Sequence, residues 1–170
     1  FLNRVDEIII FQPLTAADLE SNAIIKSVLC GAFLEDGWLS EEDPDDDLRL
    51  QKQRVWIVDP LDGTRDFIDG TPEFAVSIAL VENHVPVLGV ICNPVTGELF
   101  WGARGQGAYI GSERMCVTHY QTTERVRLFT SRSEFKRGEW DKYKPLFELT
   151  PMGGAAYKMA REMAIRCTIF

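Results

Sequence analysis

At 170 residues, with 45% hydrophobic and 26% charged side chains, the chain has the size and composition of one soluble globular domain or a large piece of one, which excludes disorder as the default state. Eighteen basic residues against 26 acidic ones leave a formal net charge of −8; a nucleic-acid polymer or an anionic membrane surface is therefore not an expected partner, and an anionic substrate needs local help such as a metal cation. Cys30, Cys92, Cys116 and Cys167 are far apart with no CxxC pair, there is no signal-type N-terminus, and no apolar run is long enough to cross a bilayer, so the expectation is a cytoplasmic protein with reduced thiols.

In chain order, "TAADLESNAIIKSVLCGAF" opens with a capping-box pattern, Thr15 followed by Asp18, and then places Ile24, Ile25, Val28 and Leu29 at helical spacing. The pattern predicts a helix from about Ala16 to about Phe33, closed near Gly37. "LSEEDPDDDLRLQKQR" reads as an acidic loop with a short helical turn, and Val55 to Val58 as a strand. "EFAVSIALVENHVPVLGVICNP" holds two β-branched runs joined by the turn-like "ENHVP", an antiparallel hairpin. Short strands follow around Leu99 to Ala103 and Ala108 to Ile110; "GARGQG" between them is a hairpin turn, because no long helical pattern follows it. "VRLFTS" reads as a further strand and "AAYKMAREMAI" as a helix. The sum is an α+β chain, a mixed sheet with flanking helices.

The chemistry concentrates in "VWIVDPLDGTRDFIDG". Asp59 and Asp62 stand where the strand gives way to a Pro-Leu-Asp-Gly turn, with the Leu61 carbonyl between them, so hard oxygen ligands for Mg²⁺ or Mn²⁺ face one point. Gly63 and Thr64 follow with backbone N–H groups that could cradle a phosphate oxygen, and the Thr64 hydroxyl could hold a water. Acids for metal beside amides for phosphate point to metal-assisted phosphoester hydrolysis. A bare DxxDG has a blander use, since acids at such turns often cap a helix or bond the turn backbone. The acidic run from Glu41 to Asp47, read alone, is a solvated loop.

The longer run "WIVDPLDGTRDFIDGTPEFAVSIALV" resembles the signature of the inositol monophosphatase superfamily of Mg²⁺-dependent, Li⁺-sensitive phosphatases. "LTAADLESN" is similar to that family's V-T-x-x-D segment, which points to Asp18, and "LSEE" to its (G/S)-E-E segment, whose second glutamate corresponds to Glu42. The resemblance implies a layered α/β sandwich of the inositol monophosphatase and sugar phosphatase type. It also implies that Glu42, Asp59 and the Leu61 carbonyl hold one Mg²⁺, while Asp59 and Asp62 share a second, with two or three ions in all, Mn²⁺ as a substitute and Li⁺ as an inhibitor. Thr64 with Asp18 would orient the attacking water, the amides of Gly63 and Thr64 would receive the phosphate, and Asp66 and Asp69 would fall outside the site. A homodimer is the assembly that relatives suggest.

"FTSRSE" resembles the SRSH-type segment of the branch that dephosphorylates adenosine 3',5'-bisphosphate; inositol monophosphatase activity is the alternative. Arg132 there either meets a second phosphate or is a surface arginine. His84 and His119 lie in polar, turn-like settings and are expected at the surface. The family normally has a helix pair before the V-T-x-x-D segment and a further metal-ligating (E)WD-x-A-A-G segment after the G-S-x-x-x-K helix. "EWDKY" precedes "GGAAYK" and lacks the A-A-G, so Asp141 is not assigned that role. The expectation is a single partial phosphatase domain over 1–170, its C-terminal portion beginning at about 125, with a part of the fold absent at each end and an unpaired sheet edge exposed. A reading from another class is a metal- or phosphate-binding fragment without turnover.

Overall fold

The computed structural model describes residues 15–117, 126–165 and 167–169; the stretch before Thr15, His119 and the side chain of Cys167 lie outside them. Helix α1, Ala16–Ala32, starts as its sequence dictates: the Thr15 hydroxyl accepts from the Asp18 amide at 3.3 Å, and the Asp18 carboxylate accepts from the Thr15 amide at 2.8 Å. Phe33 caps its end. Gly37 does not close this helix but opens strand β1, Gly37–Ser40. A Cβ at this position would lie 3.1 Å from the Arg49 Cβ and 3.2 Å from a Val55 methyl, so glycine is what lets β1 and the following 3₁₀ turn, Asp47–Gln51, close on strand β2, Arg54–Asp62.

A short helix α2, Thr64–Ile68, leads to β3, Ala75–Glu82, and β4, Val85–Cys92. Asn83 and His84 join these two strands with φ of 48° and 66°, the paired left-handed turn whose twist matches antiparallel strands. His84 is exposed, as expected of a turn residue. Strands β5, Leu99–Ala103, β6, Gly107–Ile110, and β7, Glu113–Val117, continue the meander, the last within a stretch that carries no alternating pattern. Then come β8, Val126–Ser131, a one-turn helix α3, Arg132–Lys136, strand β9, Phe147–Met152, helix α4, Ala155–Ile165, and β10, Cys167–Ile169.

Among the described residues, eight strands form one sheet in the order β1-β2-β3-β4-β5-β6-β7-β10, and β8 pairs with β9 in a parallel two-stranded sheet. The register fixes which residues share a face. Leu39 pairs with Ile57, Ile57 with Ala79, Ala79 with Gly89 and Gly89 with Gly102, so Asp59, two residues along from Ile57, belongs to that face. Trp38, Ser40, Trp56 and Val58 lie on the other. Helix α1 covers the tryptophan face, where Phe33 packs on Trp56 with ring centroids 5.5 Å apart and Ser40 donates to Asn22.

Helix α4 covers the Asp59 face. Its Tyr157 meets Phe100 edge-on at 6.2 Å, and Ala75, Phe100, Met152, Tyr157 and Ala160 form the buried centre of the core, joined by Phe129 of the small sheet. This is an α+β fold layered helix, sheet, helix. Among the described residues no helix is long and apolar enough to cross a membrane.

Candidate metal and phosphate site

Strand β2 does not stop at Val58 for a Pro-Leu-Asp-Gly turn. It runs to Asp62, with its pairing to β3 shifted between Asp59 and Asp62. Proline has no N–H to give a ladder, and Pro60 sits fully buried where the ladder is interrupted. The bulge turns the following residues inward. Asp59 accepts from the Leu61 amide at 3.0 Å, and Gly63, at φ 92°, caps α2 in a conformation that a side chain would strain. A Cβ there would also press within 3.0 Å of the Glu73 carbonyl oxygen.

The Thr64 hydroxyl lies 3.2 Å from the Leu61 carbonyl and 3.4 Å from an oxygen of Asp18, 46 residues away in sequence. Asp18 and Thr64 are both buried. One hydroxyl proton serves one of these acceptors at a time, which leaves the oxygen lone pairs to receive a hydrogen bond from water or substrate.

Acidic groups crowd the same place. Carboxylate oxygens of Asp18, Glu41 and Glu42 lie within 4.8 Å of one another, and Glu41 shares a hydrogen bond with Asp59. Loss of water around its carboxyl, then the Asp59 carboxylate beside it, push Glu41 up to about 8. Burial, then Asp18 and Asp59, raise Glu42. Burial also raises Asp59, with Asp62 adding to it and hydrogen bonds from Glu41 and the Leu61 amide opposing it. The charged side chains that act most on Glu41 and Glu42 are themselves acids, an arrangement that costs free energy until a cation offsets it. The loop is nonetheless pinned. Against the effect of burial, hydrogen bonds from Asn22, Trp38 and Lys26 hold Asp43 below the usual carboxylate range, at 3.1, 2.6 and 3.1 Å, and tie the loop to α1.

The structure therefore gathers Asp18, Glu42, Asp59, the Leu61 carbonyl and Thr64, and adds Glu41, which sequence reasoning passed over. Strand β1 ends at Ser40, so Glu41 and Glu42 lie in the turn that follows it, where no strand alternation sorts them. Glu41 reaches Asp59, and Glu42 stays beside Asp18 and Glu41. Two adjacent glutamates in a turn carry no local sign of which one meets Asp59.

Asp62 is differently engaged. Its two oxygens accept the amides of Ala155, Ala156 and Tyr157 at 2.8, 2.8 and 3.2 Å, so it caps α4 from 93 residues upstream. Three of roughly four acceptor sites on a carboxylate are thereby used. Asp62 still acts on Asp59 through space. Arg132 pairs with Asp66 at 2.7 Å and with Glu73. Beside it a cleft of about 320 Å³, lined by Arg65, Asp69, Ser133, Lys136, Ala155 and Lys158 among others, opens at the start of α4. Asp141 is exposed and pairs with Lys144.

Oxygen donors alone make up the cluster, which suits a hard divalent cation such as Mg²⁺ or Mn²⁺ and fits thiol- or imidazole-seeking metals poorly.

Residues 10–164 match the Inositol monophosphatase family. The 3'(2'),5'-bisphosphate nucleotidase CysQ of Salmonella typhimurium is 44% identical over 95 residues, 55% of this chain and 39% of the relative. The Inositol-1-monophosphatase of Caulobacter vibrioides is 42% identical over 101 residues, 59% of this chain and 39% of the relative. The crystal structure of the extragenic suppressor protein suhB from Bartonella henselae superposes with a TM-score of 0.79 at 33% identity, covering 89% of this chain and 60% of that one. The chain thus spans about two fifths of the length of these two curated relatives. It belongs to the inositol monophosphatase family, whose members are phosphatases.

Proposed function

We propose that the chain carries the metal- and phosphate-binding part of a Mg²⁺-dependent phosphomonoesterase. The observation that supports this reading best is the clustering of Asp18, Glu41 and Glu42, with Asp59 hydrogen-bonded to Glu41, at the place where Asp18 meets the buried Thr64 hydroxyl. Glu41 and Asp59, with Glu42 beside them and the Leu61 carbonyl behind, would hold the cation; Asp62 would steer it through space while capping α4. A bound divalent cation supplies charge for the phosphoryl oxygens and an acidified water.

The residues' own part is positional. Asp18, fixed by the Thr15 cap, holds the Thr64 hydroxyl as a donor, so that its oxygen accepts the proton side of the attacking water and aims the water's lone pair at phosphorus. The amides of Gly63 and Thr64, at the head of α2, face the phosphate in this reading, as the family resemblance implies. In-line attack then breaks the ester P–O bond and releases inorganic phosphate and an alcohol.

The substrate we favour is a small phosphomonoester with a second anionic group, adenosine 3',5'-bisphosphate or a related nucleotide. Lys136, Lys158 and Arg65 around the adjacent cleft are the cations for that group, while Arg132 is already paired with Asp66 and Glu73. A homodimer and Li⁺ inhibition belong to the same proposal, and the unpaired thiols of Cys30, Cys92 and Cys116 fit the reducing cytoplasm. Phosphate release from adenosine 3',5'-bisphosphate and from inositol 1-phosphate, with and without Mg²⁺, tests it. A higher kcat/KM for the bisphosphate is expected; a preference for inositol 1-phosphate would reassign the substrate, and release independent of Mg²⁺ would overturn the mechanism.

A further inference from the structure

We infer that Arg132 is a positioning residue, the centre of a bridge Asp66–Arg132–Glu73 that holds the start of α4 and through it the carboxylate of Asp62. Arg132 stands at the junction of β8 and α3. One guanidinium nitrogen donates to Asp66 at 2.7 Å and to the Thr71 hydroxyl at 3.4 Å, and the other donates to Glu73. All three charged side chains are mostly shielded, at 29%, 15% and 23% exposure for Arg132, Asp66 and Glu73.

Glu73 is shared: the same oxygen that meets Arg132 accepts the Gly153 amide at 2.9 Å. Gly153 itself is wedged against Asp66, where any Cβ would fall 2.1 Å from the carboxyl carbon. Gly154, at φ 56°, passes so close that a Cβ would lie 2.8 Å from the Glu73 carbonyl and 3.0 Å from Asp62. The next three amides are those that grip Asp62. Asp62 opens the DGT segment and Asp66 follows it in α2, so a circuit closes: turn, α4 start, Gly153, Glu73, Arg132, and back to the turn.

Its logic is electrostatic. Asp66 and Glu73 converge on one point and repel unless a cation lies between them, and removing one member of a shielded ion pair leaves the others uncompensated. A planar guanidinium reaches both carboxylates at once, whereas an ammonium serves as a single point of charge. Arg132 lines the cleft at the start of α4, but with its donors given to Asp66, Thr71 and Glu73 it acts on the reacting groups through Asp62. The kinetic side of this inference rests on the phosphatase reading; its structural side does not.

The test compares Arg132→Ala, Arg132→Lys and Glu73→Gln, with Arg137→Ala as control, since Arg137 sits on the same segment in an exposed pair with Glu139. Two readouts are taken on this chain: kcat and KM for adenosine 3',5'-bisphosphate with saturating Mg²⁺, and hydrogen exchange of the segment 153–160. Arg132→Ala should lower kcat by about tenfold to a hundredfold, the scale of a small misplacement of a reacting group, with KM changed less than about threefold. Added guanidinium should recover part of the rate, and Arg132→Lys should not.

Amides of 153–160 should exchange faster in Arg132→Ala and in Glu73→Gln, with β3 to β5 unchanged, and the control should match the parent chain in both readouts. A rise in KM with kcat intact would show a substrate contact and overturn the inference; so would unaltered exchange at 153–160 in both variants. Should Arg132→Ala fail to fold, Glu73→Gln, which keeps an oxygen acceptor, reads the same segment. If the parent chain shows no turnover, the exchange result at 153–160 alone decides the bridge.

Discussion

Asp59 and Glu41 are the two residues on which the site turns. Asp59 lies at the bulge of β2, takes the Leu61 amide and shares a hydrogen bond with Glu41; burial and then Asp59 raise Glu41, while burial raises Asp59 against the hydrogen bond from Glu41. Asp59→Asn removes the charge that joins the cluster and should lower Mg²⁺-dependent turnover by more than about a hundredfold, beyond what loss of an outer contact costs a metal site. Glu41→Gln and Glu42→Gln form a sharper pair, read by the Mg²⁺ concentration giving half-maximal rate. Glu41→Gln should raise it by at least about tenfold and Glu42→Gln less; the reverse order would return the metal to Glu42. The family segment points to Glu42 because two adjacent glutamates look alike as letters, and only the folded turn shows that Glu41 is the one hydrogen-bonded to Asp59.

At the scale of elements, α4 is the piece that both sheets depend on. Its first amides are satisfied by Asp62, and its Tyr157 and Arg161 both bind Glu98 from the loop before β5. Asp62→Ala should cost about 2 kcal/mol of stability, as loss of a helix cap does, while Asp62→Asn, which keeps an acceptor, should cost less. Thermal unfolding of the two separates the capping role from the metal role. Gly154→Ala forces a side chain into a left-handed backbone against the Glu73 carbonyl and should destabilise by about 1–3 kcal/mol.

Much of this layer is legible beforehand. The Thr15 to Asp18 capping box, the two β-branched runs about Asn83 and His84, and "AAYKMAREMAI" each state their element locally. β7 and β9 are not legible, because they take their place from pairing partners and not from alternation, and "FELTPM" carries a proline in its strand. The link from Asp62 to α4 spans 93 residues and has no local sign. The strand running through Pro60 looks like a turn in sequence because proline and Asp-Gly mark turns far more often than bulges.

For the whole molecule, the acid cluster couples stability to pH and to metal. Glu41 moves from an ordinary 4.5 to about 8 on folding, so the folded state binds the extra proton and is favoured at low pH. That contribution is complete below about 4.5 and is lost as pH rises toward 8. Raised Glu42 and Asp59 act with the same sign. Without divalent cation, the unfolding temperature should therefore fall between pH 5 and pH 8. Mg²⁺ should raise it more at pH 8, where the acids are ionised and able to bind, than at pH 5. A Mg²⁺ effect of equal size at both values would mean that the cluster is not where the cation binds.

The most direct test of the central claim, that these carboxylates form a divalent-cation site serving phosphomonoester hydrolysis, is the rate of phosphate release from adenosine 3',5'-bisphosphate as Mg²⁺ is titrated at pH 8, for the parent chain and for Asp59→Asn. Phosphate release should rise saturably with Mg²⁺ in the parent and stay flat in Asp59→Asn. Release that ignores Mg²⁺, or equal curves for the two chains, would contradict it.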